Sequence, residues 1–391
     1  MTTSRPPVAA NSTPADGAAA RSTVGGAVAF GLVLALSTAC DDPSLPALRV
    51  GTACPAVVMR EVNDRWLAGH PEAGDNRWAR AVYFTGDLAA YEATGDARYL
   101  DYAVRWSEAN GWRLNGGAAT RNADNHAAGQ TYLALYELDP APERIAELHR
   151  SIETVVLDAA RDDWWWADAQ YMASPVFARL GRNLDDPRYF DAMHALFVDA
   201  RDRRGLFDPT TGLWFRDERY LFPASTTPHG KKIFWARGNG WVIASLVRTL
   251  VELPSDSPYR ADYENMLAAM APAVAERQRA DGFWNVSLDD PLDFGGPESS
   301  GTSLFTYAIA WGIRADLLDR ATYLPVVEKA WLALVERAVL ADGRVGLVQG
   351  EGEAPRWGQP VELGDSTDFG VGVFLLAGSE VARLGLDLGC P

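Results

Sequence analysis

Helical periodicity runs through most of the chain and constrains its fold more than any other feature of the sequence. Apolar residues recur every three or four positions, and no segment beyond Val58 keeps the strict alternation of a half-buried strand. The spacing predicts twelve helices, at 55–68, 76–91, 97–109, 126–138, 141–159, 169–181, 186–202, 240–252, 259–279, 301–313, 324–340 and 369–384. Because 48% of the 391 residues are hydrophobic, the chain can bury a large core, and we predict an all-α domain.

The connections between these helices alternate between short and long. Short connections with turn residues, such as Thr94-Gly95-Asp96, follow the even-numbered helices, which also have the less polar faces. Six hairpins, each with one apolar inner helix, indicate an (α/α)6 barrel. A helical bundle or an α-solenoid is the alternative, although a solenoid would have a more regular repeat length. In the barrel the N-termini of all six inner helices surround one mouth, where they place unpaired N–H groups and partial positive charge.

Tryptophan, arginine and carboxylate residues precede the inner helices, so the barrel would bring them together at that mouth. In chain order the six segments are Asn76–Trp78, Arg121–His126, Trp164–Asp168, Phe234–Trp241, Pro297–Gly301 and Asp365–Asp368. A single Asp, Asn or Ser in such a position is usually an N-cap, but Trp and Arg are not capping residues. The 14 tryptophans are also compatible with a Trp-rich core. Their recurrence at one end favours a sugar site, because an indole offers a flat apolar face and one donor.

The octet Phe234–Trp241, which reads FWARGNGW, is the most unusual of these segments. We interpret it as a binding loop ahead of the fourth inner helix, in which two glycines let the backbone approach a ligand. Arg237 would contact polar groups of a sugar, and Trp235 and Trp241 would line its pocket. Asn239 would hold a hydroxyl or fix the loop. The alternative is a structural turn with buried aromatic anchors.

Two aspartates at the mouth, Asp124 and Asp168, are the candidate catalytic residues. Asp168 follows three tryptophans at the start of the third inner helix, and Asp124 precedes the neighbouring inner helix. A helix N-terminus favours the charged carboxylate, whereas burial among indoles favours the neutral acid, and the sequence does not decide between them. Paired carboxylates that face one ligand suit acid/base chemistry on a glycoside.

The formal net charge is −16, from 36 basic and 52 acidic residues. This balance argues against nucleic acid, or an anionic membrane surface, as the main partner. A small acidic ligand held by a local group of arginines is still compatible with it.

Residues 1–40 are expected to be an export segment rather than part of the fold. A polar stretch leads into the apolar run AVAFGLVLAL and then into Ser-Thr-Ala-Cys, which is the order of a secretory signal. Cys40 resembles the lipidated cysteine of a bacterial lipobox, so we expect a periplasmic or cell-surface protein, with a lipid anchor at Cys40 as its one link to a membrane. Residues 41–391 would form a single catalytic domain.

Cys54 and Cys390 either pair in an oxidising compartment or are two free thiols.

Five stretches of the sequence carry a family resemblance. They are ADNHAAGQTYLALYEL, WWWADAQYMASP, KKIFWARGNGWVIASLVRTLVELP, ESSGTSLFTYAIAWGIR and DFGVGVFLLAGSEVARL, which occur in order between Trp78 and Arg383. They resemble the unsaturated glycuronyl hydrolases of glycoside hydrolase families 88 and 105. The resemblance implies an (α/α)6 barrel that acts on oligosaccharides left by polysaccharide lyases, which end in a 4,5-unsaturated uronic acid. The implied reaction is hydration of the vinyl ether of this sugar.

The resemblance also implies roles for the site residues. Asp168 would protonate C4 and draw a proton from the water that adds at C5, and Asp124 would orient the water or the ring. The candidate substrate-binding residues are Trp78, Trp166, Met172, Arg216, Trp235, Arg237, Asn239 and Trp241. The expected partner is an oligosaccharide with an acidic terminal sugar, and no metal, nucleotide or other cofactor is required.

One segment departs from the pattern of the rhamnogalacturonan-type members, which place a histidine ahead of the arginine loop. Here that segment is Gly212–Asp217, and no histidine follows it until His229. The departure puts the usual pectin substrate in doubt. Arg216, within the segment, would either contact an acidic group of the substrate or pair with Asp217.

Three other functions are compatible with parts of the sequence. A sugar epimerase on the same barrel would need paired histidines at the mouth, where we expect only His126. An acid/base glycosidase acting on saturated sugars would use the same two carboxylates. A non-catalytic glycan-binding surface lipoprotein would use the tryptophans and arginines but would not need Asp168.

Overall fold

The computed structural model describes residues 46–390 of the chain. Within this range the helices are α1 (Pro55–Gly69), α2 (Trp78–Thr94), α3 (Ala97–Ala109), α4 (Ala123–His126), α5 (Ala128–Leu138), α6 (Ala146–Leu157), α7 (Ala169–Leu184), α8 (Pro187–Val198), α9 (Ala236–Glu252), α10 (Arg260–Ala275), α11 (Ser299–Arg314), α12 (Arg320–Arg337) and α13 (Asp368–Arg383). Eleven of these helices match predicted helices within five residues at either end. The other two, α4 and α5, are separated at Ala127, where the sequence predicted a single helix over 126–138.

Six inner helices form a closed ring, which confirms the predicted (α/α)6 barrel. The inner helices are α2, α5, α7, α9, α11 and α13; each packs against the next, and α13 packs against α2. The closing contact is between backbones, since a Cβ atom at Gly86 of α2 would lie 2.1 Å from the carbonyl oxygen of Gly372 of α13. Glycine is therefore required where the first and last inner helices meet. The outer helices α1, α3, α6, α8, α10 and α12 flank this ring.

Side-chain caps begin several helices where the sequence places Asp, Glu or Thr. Asp96 caps α3, Asp186 caps α8, Glu298 caps α11, Asp319 caps α12 and Thr367 caps α13. Each side chain accepts a hydrogen bond from a backbone N–H of the first turn, which satisfies a donor that the helix itself leaves unpaired.

The long connections lie at the mouth of the barrel and contain the little β-structure that the described residues have. A π-helical turn, Asp199–Arg203, follows α8 and leads into strand β1 (Phe207–Asp208), which pairs antiparallel with β2 (Leu213–Trp214). Short 3-10 turns occupy Gly117–Ala119, Pro142–Arg144 and Glu218–Tyr220. The two-residue strands are too short to have been visible as alternation in the sequence.

Helix α9 begins at Ala236, four residues before the predicted start, so the segment interpreted as a glycine loop is helical instead. Gly240 serves helix packing there, because a Cβ atom at this position would lie 2.9 Å from Cβ of Leu304 on α11. A Cβ atom at Gly238 would instead lie 3.0 Å from the ring of Trp235 and 3.7 Å from Oδ1 of Asp168. The close packing at Gly240 outweighs the roughly 1 kcal/mol by which a glycine disfavours a helix. The helical start also turns the Arg237 side chain toward the mouth.

The predicted export segment and Cys40 lie outside the described residues, and no helix within 46–390 has the length and apolar character needed to cross a membrane. Cys54 and Cys390 form a disulfide. The sequence had left open whether these two cysteines pair or are free thiols, and the structure has them paired. Cys54 precedes α1, so the bond joins the first helix to the chain that follows the last one.

We expect Cys390→Ser to lower the free energy of unfolding by about 2–4 kcal/mol, because the disulfide restricts the unfolded chain between two residues 336 positions apart. Urea titration of the variant and of the unsubstituted protein measures this difference. Mass spectrometry of protein taken from its native compartment should detect no free thiol at Cys54 or Cys390. Equal stability of the two proteins, or two free thiols, would show that the bond is not part of the native state.

Candidate active site

A cavity of about 340 Å³ opens at the mouth of the barrel, between the N-terminal ends of the inner helices. It is lined by both candidate catalytic aspartates and by seven of the eight candidate substrate-binding residues: Trp78, Asp124, Trp166, Asp168, Met172, Arg216, Trp235, Arg237 and Trp241. These residues come from four inner helices or the connections before them, so only closure of the barrel brings them together.

A second cavity, of about 380 Å³, lies among the C-terminal halves of the inner helices. Its charged side chains pair with one another: Arg314 lies 2.9 Å from Glu380 and Arg383 lies 3.1 Å from Glu92. Paired charges stabilise that end of the barrel and leave few groups free for chemistry. The cavity at the mouth contains a carboxyl oxygen, Oδ1 of Asp168, that has no hydrogen-bond partner in the described residues. We therefore place the candidate active site there.

Asp168 is a buried carboxyl group at the start of α7, only 7% exposed. Its Oδ2 atom lies 3.5 Å from Nε of Arg216, while its Oδ1 atom is buried without a hydrogen-bond partner in the described part of the chain. Burial raises the pKa of Asp168, and the positive charges of Arg216 and Arg237 offset only part of this effect. Of the two effects that the sequence left open, burial therefore outweighs the opposing charges and shifts Asp168 toward the neutral form, which can donate a proton.

Asp124 faces the same cavity from the first turn of α4. Its backbone N–H donates to Asn122 at 2.8 Å, which fixes the short helix in place. Burial, and then the negative charge of Asp168, raise the pKa of Asp124 to about 7, while Arg216 acts in the opposite direction. Two carboxyl groups in one cavity cannot both ionise easily, so near neutral pH the pair retains a proton that can move.

We expect Asp124→Asn to stabilise the protein at pH 8 but to change its stability little at pH 4. The raised pKa means that folding favours the protonated carboxyl, so this contribution is fully present below the unfolded pKa of about 4 and is lost as the pH rises through about 7. An asparagine side chain stays neutral, so the variant avoids the loss of roughly 2–4 kcal/mol in the free energy of unfolding that accompanies ionisation of Asp124. Urea titration at both pH values measures the difference. A variant whose stability relative to the native protein is the same at pH 4 and pH 8 would contradict a strongly raised pKa of Asp124.

Arg216 connects the two aspartates to the rim of the cavity. Its Nη1 atom donates to Asp217 at 2.8 Å, and its guanidinium lies over the rings of Trp165 and Trp166, at 5.5 and 5.9 Å from their centroids. The pairing with Asp217 is one of the two roles that the sequence suggested. Because the hydrogen bonds of Arg216 use Nε and Nη1, Nη2 is left for an acidic group of a ligand.

The terminal nitrogens of Arg237 donate to the protein itself, while its Nε atom is buried without a hydrogen-bond partner in the described residues. The side chain lines the cavity, so its contact with a sugar stays a prediction. Nη1 donates to the carbonyl oxygen of Gln349 at 2.6 Å and Nη2 donates to that of Gly350 at 2.7 Å. The guanidinium is sandwiched between the rings of Trp235 and Phe369, at 4.6 and 4.8 Å from their centroids. Arg237 thus ties α9 to the loop before α13, and it acts on the cavity chiefly through its charge.

Asn239 does not line the cavity, and the predicted contact to a sugar hydroxyl is corrected by its hydrogen bonds. Its side chain accepts from the backbone N–H of Trp214 at 2.8 Å and donates to the carbonyl oxygens of Trp214 and Trp235, each at 3.0 Å. These bonds fix strand β2 to the first turn of α9, which is the second role suggested for this residue. Because the helix begins four residues early, Asn239 points away from the mouth.

His126 is also absent from the mouth, although the sequence placed it there. The ring is buried and lies 3.0 Å from the hydroxyl of Ser151 on α6. Burial lowers its pKa to about 4, so the imidazole is neutral and structural. This position removes the one histidine that an epimerase could have used.

Aromatic side chains form one wall of the cavity as predicted. Trp78 stacks on Phe369 with ring centroids 5.0 Å apart, and its edge meets Trp241 at 6.3 Å. Trp241 in turn packs against Tyr171 at 4.7 Å. These contacts hold the indoles rigidly around the aspartates, which suits a flat, partly apolar sugar ring.

Four lining residues were missed by the sequence argument, and all lie in the connection before α13: Glu351, Gly352, Glu353 and Trp357. The stretch has no periodicity and matches no motif. A tryptophan amid three glycines and a proline, Gly350–Gly358, was the only signal that could have identified it. The contact of the stretch with Arg237 is long-range and is not visible in the sequence.

Known proteins are similar to this chain over most of its length. The model of Glycosyl Hydrolase Family 88 matches residues 56–385. A protein of Formosa agariphila named unsaturated 3S-rhamnoglycuronyl hydrolase is 34% identical over 340 residues, which cover 82% of this chain and 88% of that protein. A protein of the same name from Alteromonas sp. is 32% identical over 78% of this chain and 77% of its own length. A solved structure, a glycosyl hydrolase family 88 protein from Bacteroides vulgatus, superposes with a TM-score of 0.81 and 35% identity, covering 85% of this chain and 99% of that one.

Proposed function

We propose, from the premise that this chain belongs to Glycosyl Hydrolase Family 88, that Asp168 is its proton donor and that Asp124 orients the attacking water. The chain is a glycoside hydrolase that removes an unsaturated uronic acid from the oligosaccharides that polysaccharide lyases produce. One observation carries the assignment of roles. Asp168 is buried, has a raised pKa, and keeps one oxygen without a partner in the described residues, in the cavity that Asp124 also lines.

The proposed reaction is hydration of the C4–C5 double bond. Asp168 transfers its proton to C4, and the positive charge that develops at C5 is shared with the ring oxygen. Water adds its oxygen to C5 and returns a proton to Asp168, which restores the acid. The hemiketal at C5 opens by breaking the bond to the ring oxygen, and the hemiacetal left at C1 expels the neighbouring sugar as an alcohol. One water is consumed, no electrons leave the system, and Asp168 acts as acid and then as base.

The charges around the cavity suit an anionic substrate whose chemistry needs a neutral acid. We propose that Arg216, whose hydrogen bonds leave Nη2 unused, meets the carboxylate of the uronide, and that the buried charge of Arg237 adds attraction. Lys232, which precedes the Arg237 segment, pairs with Asp208, and neither residue lines the cavity.

The neighbouring sugar is the finer part of the proposal. The relatives from Formosa agariphila and Alteromonas sp., which each match more than two thirds of this chain, are both named unsaturated 3S-rhamnoglycuronyl hydrolases. We propose a rhamnoglycuronyl oligosaccharide as the substrate of this chain as well. The absence of a histidine between Gly212 and His229 supports this choice over a pectin fragment.

A thioglycoside separates this mechanism from that of a glycosidase acting on saturated sugars. In hydration the chemistry takes place at C4 and C5, so replacing the glycosidic oxygen by sulfur should leave the rate comparable. An acid/base glycosidase must instead protonate the glycosidic atom, and sulfur accepts that proton poorly. If the unsaturated thioglycoside resists the enzyme while the O-glycoside is cleaved, the hydration mechanism is wrong for this protein.

We also propose that the protein is exported. The apolar run and Cys40 of the first forty residues support export, and so does the Cys54–Cys390 disulfide, since such bonds persist mainly in oxidising compartments. Fractionation of the native cells, with metabolic labelling by a fatty acid, tests both export and lipid attachment at Cys40. Protein found in the cytoplasm would rule out both.

A further inference from the structure

The loop between Gln349 and Gly358 lies at the mouth of the cavity, and the mechanism above gives it no role. It lines the cavity through Glu351, Gly352, Glu353 and Trp357. Trp357 is 47% exposed, which is high for a tryptophan that borders a cavity. An indole kept half in water loses part of the free energy that its burial would supply, so an exposed indole at a pocket edge indicates a ligand surface.

Hydrogen bonds hold this loop in one position. Arg237 donates to two of its carbonyl groups, at Gln349 and Gly350. The side chain of Gln349 donates to the carbonyl oxygens of Pro355 at 3.1 Å and Trp357 at 2.6 Å, and its Oε1 atom accepts from the indole of Trp235 at 2.8 Å. The backbone of Trp357 is thus fixed, through the side chain of Gln349, to Trp235, which lines the cavity.

Two further contacts hold the indole at the edge of the cavity. A Cβ atom at Gly352 would lie 2.2 Å from Cβ of Trp357, so the loop backbone packs directly against the base of the indole. Across the mouth, Glu353 lies 2.7 Å from Nη2 of Arg219, which also donates to Asp217 at 2.8 Å. Asp217 is the partner of Arg216, so the loop is connected to Asp168 through a chain of charged pairs.

We propose that Trp357 is the stacking surface for the sugar that is joined to C1 of the unsaturated uronide. The inference rests on the proposed function, because it takes the uronide to lie beside Asp168 at the bottom of the same cavity. A sugar leaving the cavity at its edge would meet the flat indole with its C–H face. The carboxylate of Glu351 makes no hydrogen bond within the described residues and is available to accept hydrogen bonds from hydroxyl groups of that sugar.

The test compares two substrates of the same enzyme, the unsaturated disaccharide and the methyl glycoside of the same uronide. We expect Trp357→Ala to lower the ratio of kcat/KM for the disaccharide to kcat/KM for the methyl glycoside by about tenfold, mainly through KM, because the methyl group is too small to reach the indole. Trp357→Phe should restore most of the ratio. An unchanged ratio in Trp357→Ala would overturn the proposal.

Phe222→Ala is the control. Its ring is similarly exposed, at 45%, but lies outside the cavity lining, so the ratio between the two substrates should stay at the native value. A direct binding measurement keeps the test independent of the reaction mechanism. In the Asp168→Asn background, calorimetry should find the disaccharide bound about tenfold more weakly when Trp357 is also changed to Ala. Equal affinity would overturn the subsite even if the hydration mechanism fails, and weaker binding would support it in either case.

Discussion

Asp168→Asn should lower kcat by about 10²–10⁴-fold while leaving the fold and the affinity for the oligosaccharide nearly unchanged. Asparagine keeps the shape of the side chain but cannot transfer a proton to C4. Because Asp168 makes only a 3.5 Å contact with Arg216, its replacement breaks no strong interaction. The loss of this buried carboxyl should therefore lower kcat rather than the free energy of unfolding. Steady-state kinetics and calorimetric binding on the same preparation measure the two effects.

Asp163→Asn provides the control for this substitution. Asp163 lies in the same tryptophan-rich segment and pairs with Arg121 at 2.7 Å, but it does not line the cavity. Its variant should retain turnover close to that of the native protein. If Asp168→Asn turns over at a near-native rate, Asp168 is removed from the mechanism, and Asp124 becomes the remaining candidate for the acid.

Arg237→Met should lower both stability and turnover, because one buried side chain serves the loop and the catalytic acid together. The substitution leaves the carbonyl groups of Gln349 and Gly350 without their donors, at a cost of about 2–4 kcal/mol in the free energy of unfolding. It also removes a positive charge that lowers the pKa of Asp168, so the acid should hold its proton to higher pH. Urea titration and the pH profile of kcat report these two consequences separately.

Arg237→Lys distinguishes the positioning role from the electrostatic one. Lysine keeps the charge near Asp168 but lacks the planar fork that reaches two carbonyl oxygens at once. If Arg237 acts by holding the loop, the lysine variant should lose stability nearly as the methionine variant does and should keep the native pH profile. A lysine variant with native stability would contradict the loop-holding role. If the pH profile of kcat shifts in the lysine variant as it does in the methionine variant, the charge at position 237 does not set the pKa of Asp168.

The barrel and most of the cavity were predictable from the sequence, because both depend on patterns that repeat along the chain. Periodicity located the helices, and the six long connections located the mouth, where Asp124, Asp168 and Trp241 lie together as predicted. The disulfide was open in the sequence, since pairing of Cys54 with Cys390 depends on how the two ends of the barrel domain meet.

The errors share a physical cause, which is contact between segments distant in the chain. The glycines of the octet suggested a loop, but they lie in the first turns of α9, where Gly240 packs on α11 and Asn239 bonds to the backbone of Trp214. The hydrogen bonds of Arg237 were also missed, because a loop more than a hundred residues away supplies its acceptors. The same distance hid Trp357, because only the folded chain brings that loop to the cavity.

The central claim is tested most directly by the ultraviolet absorbance of an unsaturated uronide at the end of a rhamnoglycuronyl oligosaccharide. The conjugated enoate absorbs in the ultraviolet, and hydration at C4 and C5 removes that absorbance. We predict that the purified protein abolishes the absorbance, releases the neighbouring sugar and leaves the saturated analogue intact. Constant absorbance with cleavage of the saturated glycoside would contradict the account. Constant absorbance with binding alone would instead identify a glycan-binding protein.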